Sequence, residues 1–308
     1  MGLALLFPGQ GAQHPQMLRW LDARPEARPV LDAMAARLGR DWRQRLEEAH
    51  WLHANAVAQV LLTGVGLAAW RVLGPGLPPP VAVAGYSVGE LAAFAAAGVL
   101  DADTALALAA ARAQAMDASA AGQSTGLLAL QGPQALRLAR EAEALSVAIR
   151  ISDERVIVGA ATTALNAHEA RWSAAGLRCT RLPVAIASHT PVMAAAAAAF
   201  ERCLAAVELH PARMAVVCNF TGAASRSTAV LAAALAGQIA STVLWDNCMD
   251  CLAERQIQCA LEVGPGAALS AMWRERHPEI PVRSIDEFQS PEGVRAWVQR
   301  QLGEEPAR

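Results

Sequence analysis

The chain has 308 residues, of which 54% are hydrophobic and 18% charged, and its formal net charge is -2. That length and apolar share suit one large folded domain, or such a domain with a smaller insert, and exclude a disordered chain. The near-neutral charge supplies no basic field for nucleic acid, and all 26 basic residues are arginine, which we attribute to genomic base composition.

No basic segment precedes the apolar run Leu3 to Phe7, so a secretory signal is not expected. The apolar segment Asn55 to Trp70 is interrupted by Gln59, Thr63, Gly64 and Gly66 and reads as too short to span a bilayer, so a cytoplasmic protein without membrane association is expected. Of the six cysteines, only Cys248 and Cys251 have suggestive spacing, and neither a second pair nor a histidine neighbour accompanies them. Reduced core thiols and no metal site are expected.

Leu3 to Phe7 is a buried-strand candidate running into Pro8-Gly9-Gln10-Gly11, which fits neither the dinucleotide nor the Walker phosphate pattern. Residues 16 to 72 read as helices, and a Pro-rich turn then leads to the strand Val81 to Ala84. The stretch Gly85-Tyr86-Ser87-Val88-Gly89 follows, and Leu and Ala with Glu90 in the first turn open a helix behind it. By itself the five-residue pattern is also an ordinary turn. Between strand and helix it is a nucleophile elbow, with Ser87 exposed on a strained turn and the next amide, that of Val88, aimed at developing negative charge. A second oxyanion donor is then needed, and the Gln10 amide, flanked by glycines, suits that place.

Asp101 or Asp103 can cap a helix running through Ala105 to Met116, in which Arg112 lies on a face of Ala and Leu. From about Gly122 the pattern becomes strand (125 to 130), helix (133 to 144), two strands (147 to 151 and 156 to 158), helix (164 to 175) and strand (178 to 187). This is the split βαβ order of a ferredoxin-like unit. Residues 122–187 are therefore expected as an insert in a large domain formed by 1–121 and 188–308. Its last strand leads to Ser188-His189-Thr190-Pro191 at the start of an Ala-rich helix expected over 191 to 206. Further strands are expected at 214 to 219, 260 to 263 and 281 to 284, a helix and turn over 231 to 245 that contain Gln238, and a helix at 267 to 276; the tail from Gly303 is expected to fray.

Alternating strands and helices imply an α/β fold with a mostly parallel sheet, placing Ser87, Gln10 and His189 after the C-terminal ends of strands, where ligand sites form. A serine nucleophile needs a base, which His189 can supply; Asp101, Asp103 and Asp153 offer no motif that singles out a third member.

Taken together, Phe7 to Gln13, Gly85 to Glu90, Arg112 with Met116, Ser188-His189, Asn219, Gln238 with Trp245, and Glu262-Val263-Gly264-Pro265-Gly266 resemble, in order and approximate spacing, the malonyl-CoA:acyl-carrier-protein transacylase family. The resemblance spans roughly residues 3 to 285. It implies an α/β-hydrolase-like large domain with a ferredoxin-like insert, and a Ser87–His189 dyad whose histidine is oriented by a main-chain carbonyl at Gln238. It also implies an oxyanion hole from the amides of Gln10 and Val88, and Arg112 as holder of the malonyl carboxylate. Independently of the family, a carboxylate entering a dry pocket needs a charge partner, which a guanidinium fork provides. Two departures stand out: Tyr86 replaces the family's usual histidine, and Thr242 a proline. The Gly-Tyr-Ser-Val-Gly-Glu form is similar to the branch serving malonate decarboxylase, so the expected partners are malonyl-CoA and that complex's carrier subunit, with no bound cofactor. The rivals are the same transfer in fatty-acid or polyketide synthesis, a thioesterase, and a non-catalytic carrier-docking module.

Overall fold

The computed structural model describes residues 2–303; the frayed tail expected from Gly303 otherwise lies outside the described residues. Strand β1 (Leu3–Phe7) is followed by helices α1 (Arg28–Leu38), α2 (Trp42–Arg45), α3 (Ala49–His53) and α4 (Asn55–Leu73). Then come β2 (Ala82–Gly85), α5 (Gly89–Ala96), α6 (Ala102–Ala120), β3 (Thr125–Gln131), α7 (Ala135–Glu141), β4 (Ser146–Ser152), β5 (Arg155–Ala161), α8 (Thr162–Ala174) and β6 (Arg178–Arg181). The chain continues through α9 (Ala194–Ala205), β7 (Ala215–Cys218), β8 (Ala223–Ser225), α10 (Thr228–Gly237), β9 (Val243–Leu244) and α11 (Trp245–Ala253). It closes with β10 (Cys259–Glu262), α12 (Ala268–Arg276), β11 (Val282–Ser284) and α13 (Pro291–Leu302).

Six strands form one sheet in the order β11-β10-β1-β2-β7-β8, parallel except for the β7–β8 edge pair. β1 is buried on both sides, which explains an apolar run without alternation. Leu3, Leu5 and Phe7 pack into one core with α4, α5 and α6, while Ala4 and Leu6 face a second core. Each fully buried leucine contributes roughly 1.5–3 kcal/mol. Helix α4 has the length and hydropathy of a membrane span, longer than its interrupted apolar run foretells, yet 78% of its apolar window is buried inside the protein.

The second sheet, β6-β3-β5-β4-β9, is antiparallel within residues 125 to 181 and gains a parallel fifth strand from residues 243 and 244. One face carries α7 and α8 on Leu128, Leu130, Val156 and Val158; the other presents Leu127, Ile149 and Ile157 to the core shared with the first sheet. Thr242, found where the resemblance leads one to expect proline, donates its hydroxyl to Val147 O at 2.7 Å and so fastens the start of β9 to β4.

Several boundaries differ from expectation. The strand expected over 178 to 187 ends at Arg181, because Pro183 lacks an N–H for the ladder. Helix 191 to 206 opens as a 3-10 turn, Pro191–Met193. In the helix and turn expected over 231 to 245 the helix ends at Gly237 and Gln238 opens the turn, but the turn leads into β9 and a separate helix, α11, that were not expected.

Candidate active site

The elbow is forced by close approach. β2 ends at Gly85 and α5 starts at Gly89, and a Cβ on Gly89 would stand 2.2 Å from the Phe7 carbonyl oxygen. With β2, α5 and the end of β1 this close, Ser87 is held at φ 56°, a left-handed conformation that costs a non-glycine residue about 1–2 kcal/mol. The Pro8–Gly11 loop reaches the same point from β1, since a Cβ on Gly9 would meet Tyr86 O at 2.5 Å.

Across 102 residues, Ser87 Oγ and His189 Nε2 lie 2.7 Å apart. His189 Nδ1 is 2.6 Å from the main-chain carbonyl of Gln238. A carbonyl only accepts, so Nδ1 carries the proton and Nε2 is left free to take one from Ser87. The expected base and its orienting group thus meet. Among the described residues no acid joins them: Asp101 caps α6 by accepting from Thr104 N, and Asp103 pairs with Arg37 on the surface. Burial, then the nearby Arg112 charge, lower the His189 pKa to about 3 against the raising effect of the Gln238 carbonyl, so the imidazole stays neutral well into acid.

Arg112 is completely buried, contrary to the surface position most helical arginines take. Its Nη1 donates to Gln59 Oε1 at 2.7 Å, and its Nη2 lies 3.3 Å from Gln238 Oε1 and 3.4 Å from Ser87 Oγ. Among the described residues its Nε has no acceptor. Burial lowers its pKa to about 10, opposed by Glu90, so it remains a cation at neutral pH. A buried guanidinium with an unused donor beside the nucleophile is suited to an anionic group on the substrate.

Gln238 acts from both ends. While its main chain orients His189, its side-chain Nε2 donates to Ser87 O at 3.3 Å. That carbonyl shares a peptide plane with the Val88 N–H, so the contact aims the Val88 N–H the opposite way. Among the described residues neither the Gln10 nor the Val88 N–H has an acceptor within the protein, as donors awaiting a substrate oxygen should be.

Gln10, Ser87 and His189 line a cavity of about 240 Å³ between the two sheets, walled by apolar side chains such as Leu127, Ile157 and Met272. Tyr86 lies in its floor, edge-on to Trp245 with ring centroids 5.1 Å apart. Sequence reasoning assigned no role to Gln59 or Glu90. Gln59 was detectable as a polar residue in an otherwise apolar helix; Glu90, fully buried and raised by burial to about 8, looked like a routine first-turn acid.

Comparison with known proteins fits this geometry. The acyl transferase domain model matches residues 4–287. Over 295 residues the chain is 32% identical to a malonyl CoA-acyl carrier protein transacylase of Mycobacterium tuberculosis (strain ATCC 25618 / H37Rv), covering 92% of this chain and 96% of that protein. A Haemophilus influenzae protein of the same name is 26% identical over 307 residues, covering 96% and 98%. The crystal structure of a malonyl-CoA:acyl carrier protein transacylase from Xanthomonas oryzae pv. oryzae superposes with a TM-score of 0.86 at 28% identity, covering 92% and 94%.

Proposed function

The chain belongs to the acyl transferase domain family and is an acyltransferase, and from that premise we propose that it moves a malonyl group from malonyl-CoA to the thiol of an acyl carrier protein. The observation that carries the proposal is the Ser87 hydroxyl 2.7 Å from a neutral His189 and beside a buried arginine.

In the proposed cycle His189 Nε2 takes the Ser87 proton as Oγ attacks the thioester carbonyl. The Gln10 and Val88 amides hold the tetrahedral oxyanion, and Arg112 holds the malonyl carboxylate. The carbon–sulfur bond then breaks, and the CoA sulfur leaves with the proton from His189. The carrier thiol gives its proton to His189 and attacks the malonyl-serine ester, and Ser87 regains the proton as it departs. These steps call on no metal or redox cofactor. The apolar cavity suits the thioester arm and shields the ester from water, which separates transfer from hydrolysis.

Which carrier is served is a finer question. The transacylases similar to this chain are named for acyl carrier protein, which supports a carrier of fatty-acid or polyketide synthesis. The Gly-Tyr-Ser-Val-Gly-Glu form around Tyr86, similar to the branch serving malonate decarboxylase, favours that complex's carrier subunit instead. To the same proposal belong an α/β-hydrolase-like large domain of 1–121 and 188–308, a ferredoxin-like insert of 122–187, and a cytoplasmic setting suited to the free cysteines. Malonyl transfer assays with both carriers test the assignment. Preferred loading of a phosphopantetheine acyl carrier protein is the expected result. Preferred loading of the decarboxylase carrier would move the enzyme to that branch, and CoA release at full rate without any carrier would make it a thioesterase.

A further inference from the structure

Asn219 is fully buried beside the nucleophile, and no step of the cycle uses it. β7 pairs in parallel with β2 through Ala82–Ala215, Val83–Val216 and Ala84–Val217, so two more steps of that register set Tyr86 opposite Asn219. A parallel strand at that rung would use its main chain to donate to the residue 85 carbonyl and to accept from the residue 87 N–H. Here the Asn219 side chain takes over both bonds. Its Nδ2 donates to Gly85 O at 2.7 Å, and its Oδ1 accepts from Ser87 N at 2.7 Å.

The main chain of Asn219 is committed elsewhere. Its N–H donates to Glu90 Oε1 at 2.6 Å, and its carbonyl accepts from Leu244 N at 2.9 Å. The carboxamide is therefore anchored from α5 and from β9. On the other side of the elbow, Tyr86 N donates to Phe7 O at 2.9 Å. The elbow is thus gripped from both neighbouring strands at the point where Ser87 leaves extended conformation.

We propose that Asn219 is a positioning residue for the nucleophile: its carboxamide continues the sheet ladder through the elbow and holds Ser87 left-handed with Oγ on His189. A left-handed serine persists only where its surroundings over-determine it. Only a group that accepts from residue 87 and donates to residue 85 at once fills the rung, which a neutral carboxamide does and a carboxylate does not.

This inference rests on Ser87 being the nucleophile but not on malonyl being the acyl group, and its test separates the two. Ser87 labelling by an alkyl fluorophosphonate is timed in the wild type, Asn219→Ala and Asn219→Asp, alongside malonyl transfer. Wild-type labelling at Ser87 without malonyl transfer would overturn the substrate assignment while leaving this test intact. For folded Asn219→Ala, labelling and kcat are expected to fall roughly 10- to 100-fold, with KM for malonyl-CoA within about two-fold of wild type, because residue 219 touches no substrate.

Asn219→Asp supplies a readout that simple loss of packing does not. A protonated carboxyl both donates and accepts, so labelling should recover as pH falls from about 8 to 5. The groups facing position 219 are Glu90 on α5, Cys248 on α11 and the adjacent Cys218, with Arg112 beyond Glu90 and His189 beyond Arg112. Both thiols are raised by burial, and His189 stays neutral across that range. Glu90, at about 8 in the wild type, takes up its proton near the top of the range, so the wild-type profile supplies the baseline. Labelling of folded Asn219→Ala within about two-fold of wild type would overturn the proposal. If that variant does not fold, absence of acid recovery in Asn219→Asp relative to wild type overturns it.

Discussion

The guanidinium of Arg112 occupies a place where an unpaired charge is costly, held by the neutral side chains of Gln59 and Gln238 instead of a carboxylate partner. That arrangement makes sense if the missing anion arrives with the substrate. Arg112→Ala should lower transfer of malonyl relative to acetyl by about 2–4 kcal/mol, roughly a 30- to 1000-fold change in the ratio of kcat/KM values. Equal losses for both acyl groups would show that the arginine supports the site without reading the carboxylate. The sequence makes Ser87, Gln10 and His189 visible through local chemistry: a glycine-flanked serine, a glycine-flanked amide and a histidine before a helix start. Burial of Arg112 was not visible in its residue type, since an arginine on a helix most often reaches solvent; its place beside the substrate came only through the family resemblance. Nor did residue chemistry show the contact between His189 Nδ1 and the Gln238 carbonyl, since a main-chain acceptor leaves no mark on residue type; only the family resemblance implied it.

At the elbow, the C-terminal end of β1 meets the N-terminal end of α5 with no room for a side chain at Gly89. Gly89→Ala should cost roughly 1–3 kcal/mol or more, because the contact is to backbone and a shift there displaces Ser87. Gly126→Ala on β3 is the control: its Cβ would meet only ordinary contacts at 3.7 Å, so stability and activity should change little. Equal thermal midpoints for the two variants would contradict the close-approach account. Strands of the parallel sheet were legible because apolar runs bounded by Gly and Pro admit few alternatives. Harder were α11 and the two-residue β9, whose formation depends on β4 being close enough to pair with Val243 and Leu244. In the same way Pro183 shortened a strand that its apolar neighbours seemed to extend.

Across the whole molecule, two sheets close over one cavity; residues 242 to 247 are tied to β4 of the second sheet by β4–β9 pairing, by Thr242 and by Arg150, which reaches Asp246 at 2.5 Å and Asn247 at 2.6 Å on α11. The buried titratable groups give this assembly a defined pH response. Burial raises Glu90 from 4.5 to about 8 and Glu262 to about 7, so the folded chain holds these protons more tightly than the unfolded one. Their stabilising effect is complete below about 4.5 and is lost as pH rises through 7 to 8. His189, lowered from 6.5 to about 3, works the other way, since the unfolded chain takes up a proton that the folded one refuses as pH falls below 6.5. Between about 6.5 and 8.5 the carboxyl effect leads, before the thiols raised by burial add to it, so the thermal midpoint should fall over that range, and Glu90→Gln should flatten the fall. An unchanged slope in Glu90→Gln would contradict the assignment. The α/β class and the parallel order around Ser87 followed from the alternation of elements, whereas the meeting of residues 87, 112, 189 and 238 was implied only by the family resemblance until the fold brought them together. That meeting is tested most directly by peptide mass spectrometry of the enzyme mixed with malonyl-CoA and no carrier. The expected result is one malonyl ester, on Ser87, discharged by added carrier thiol and missing in Ser87→Ala; an ester on another residue, or carrier loading that persists in Ser87→Ala, would contradict it.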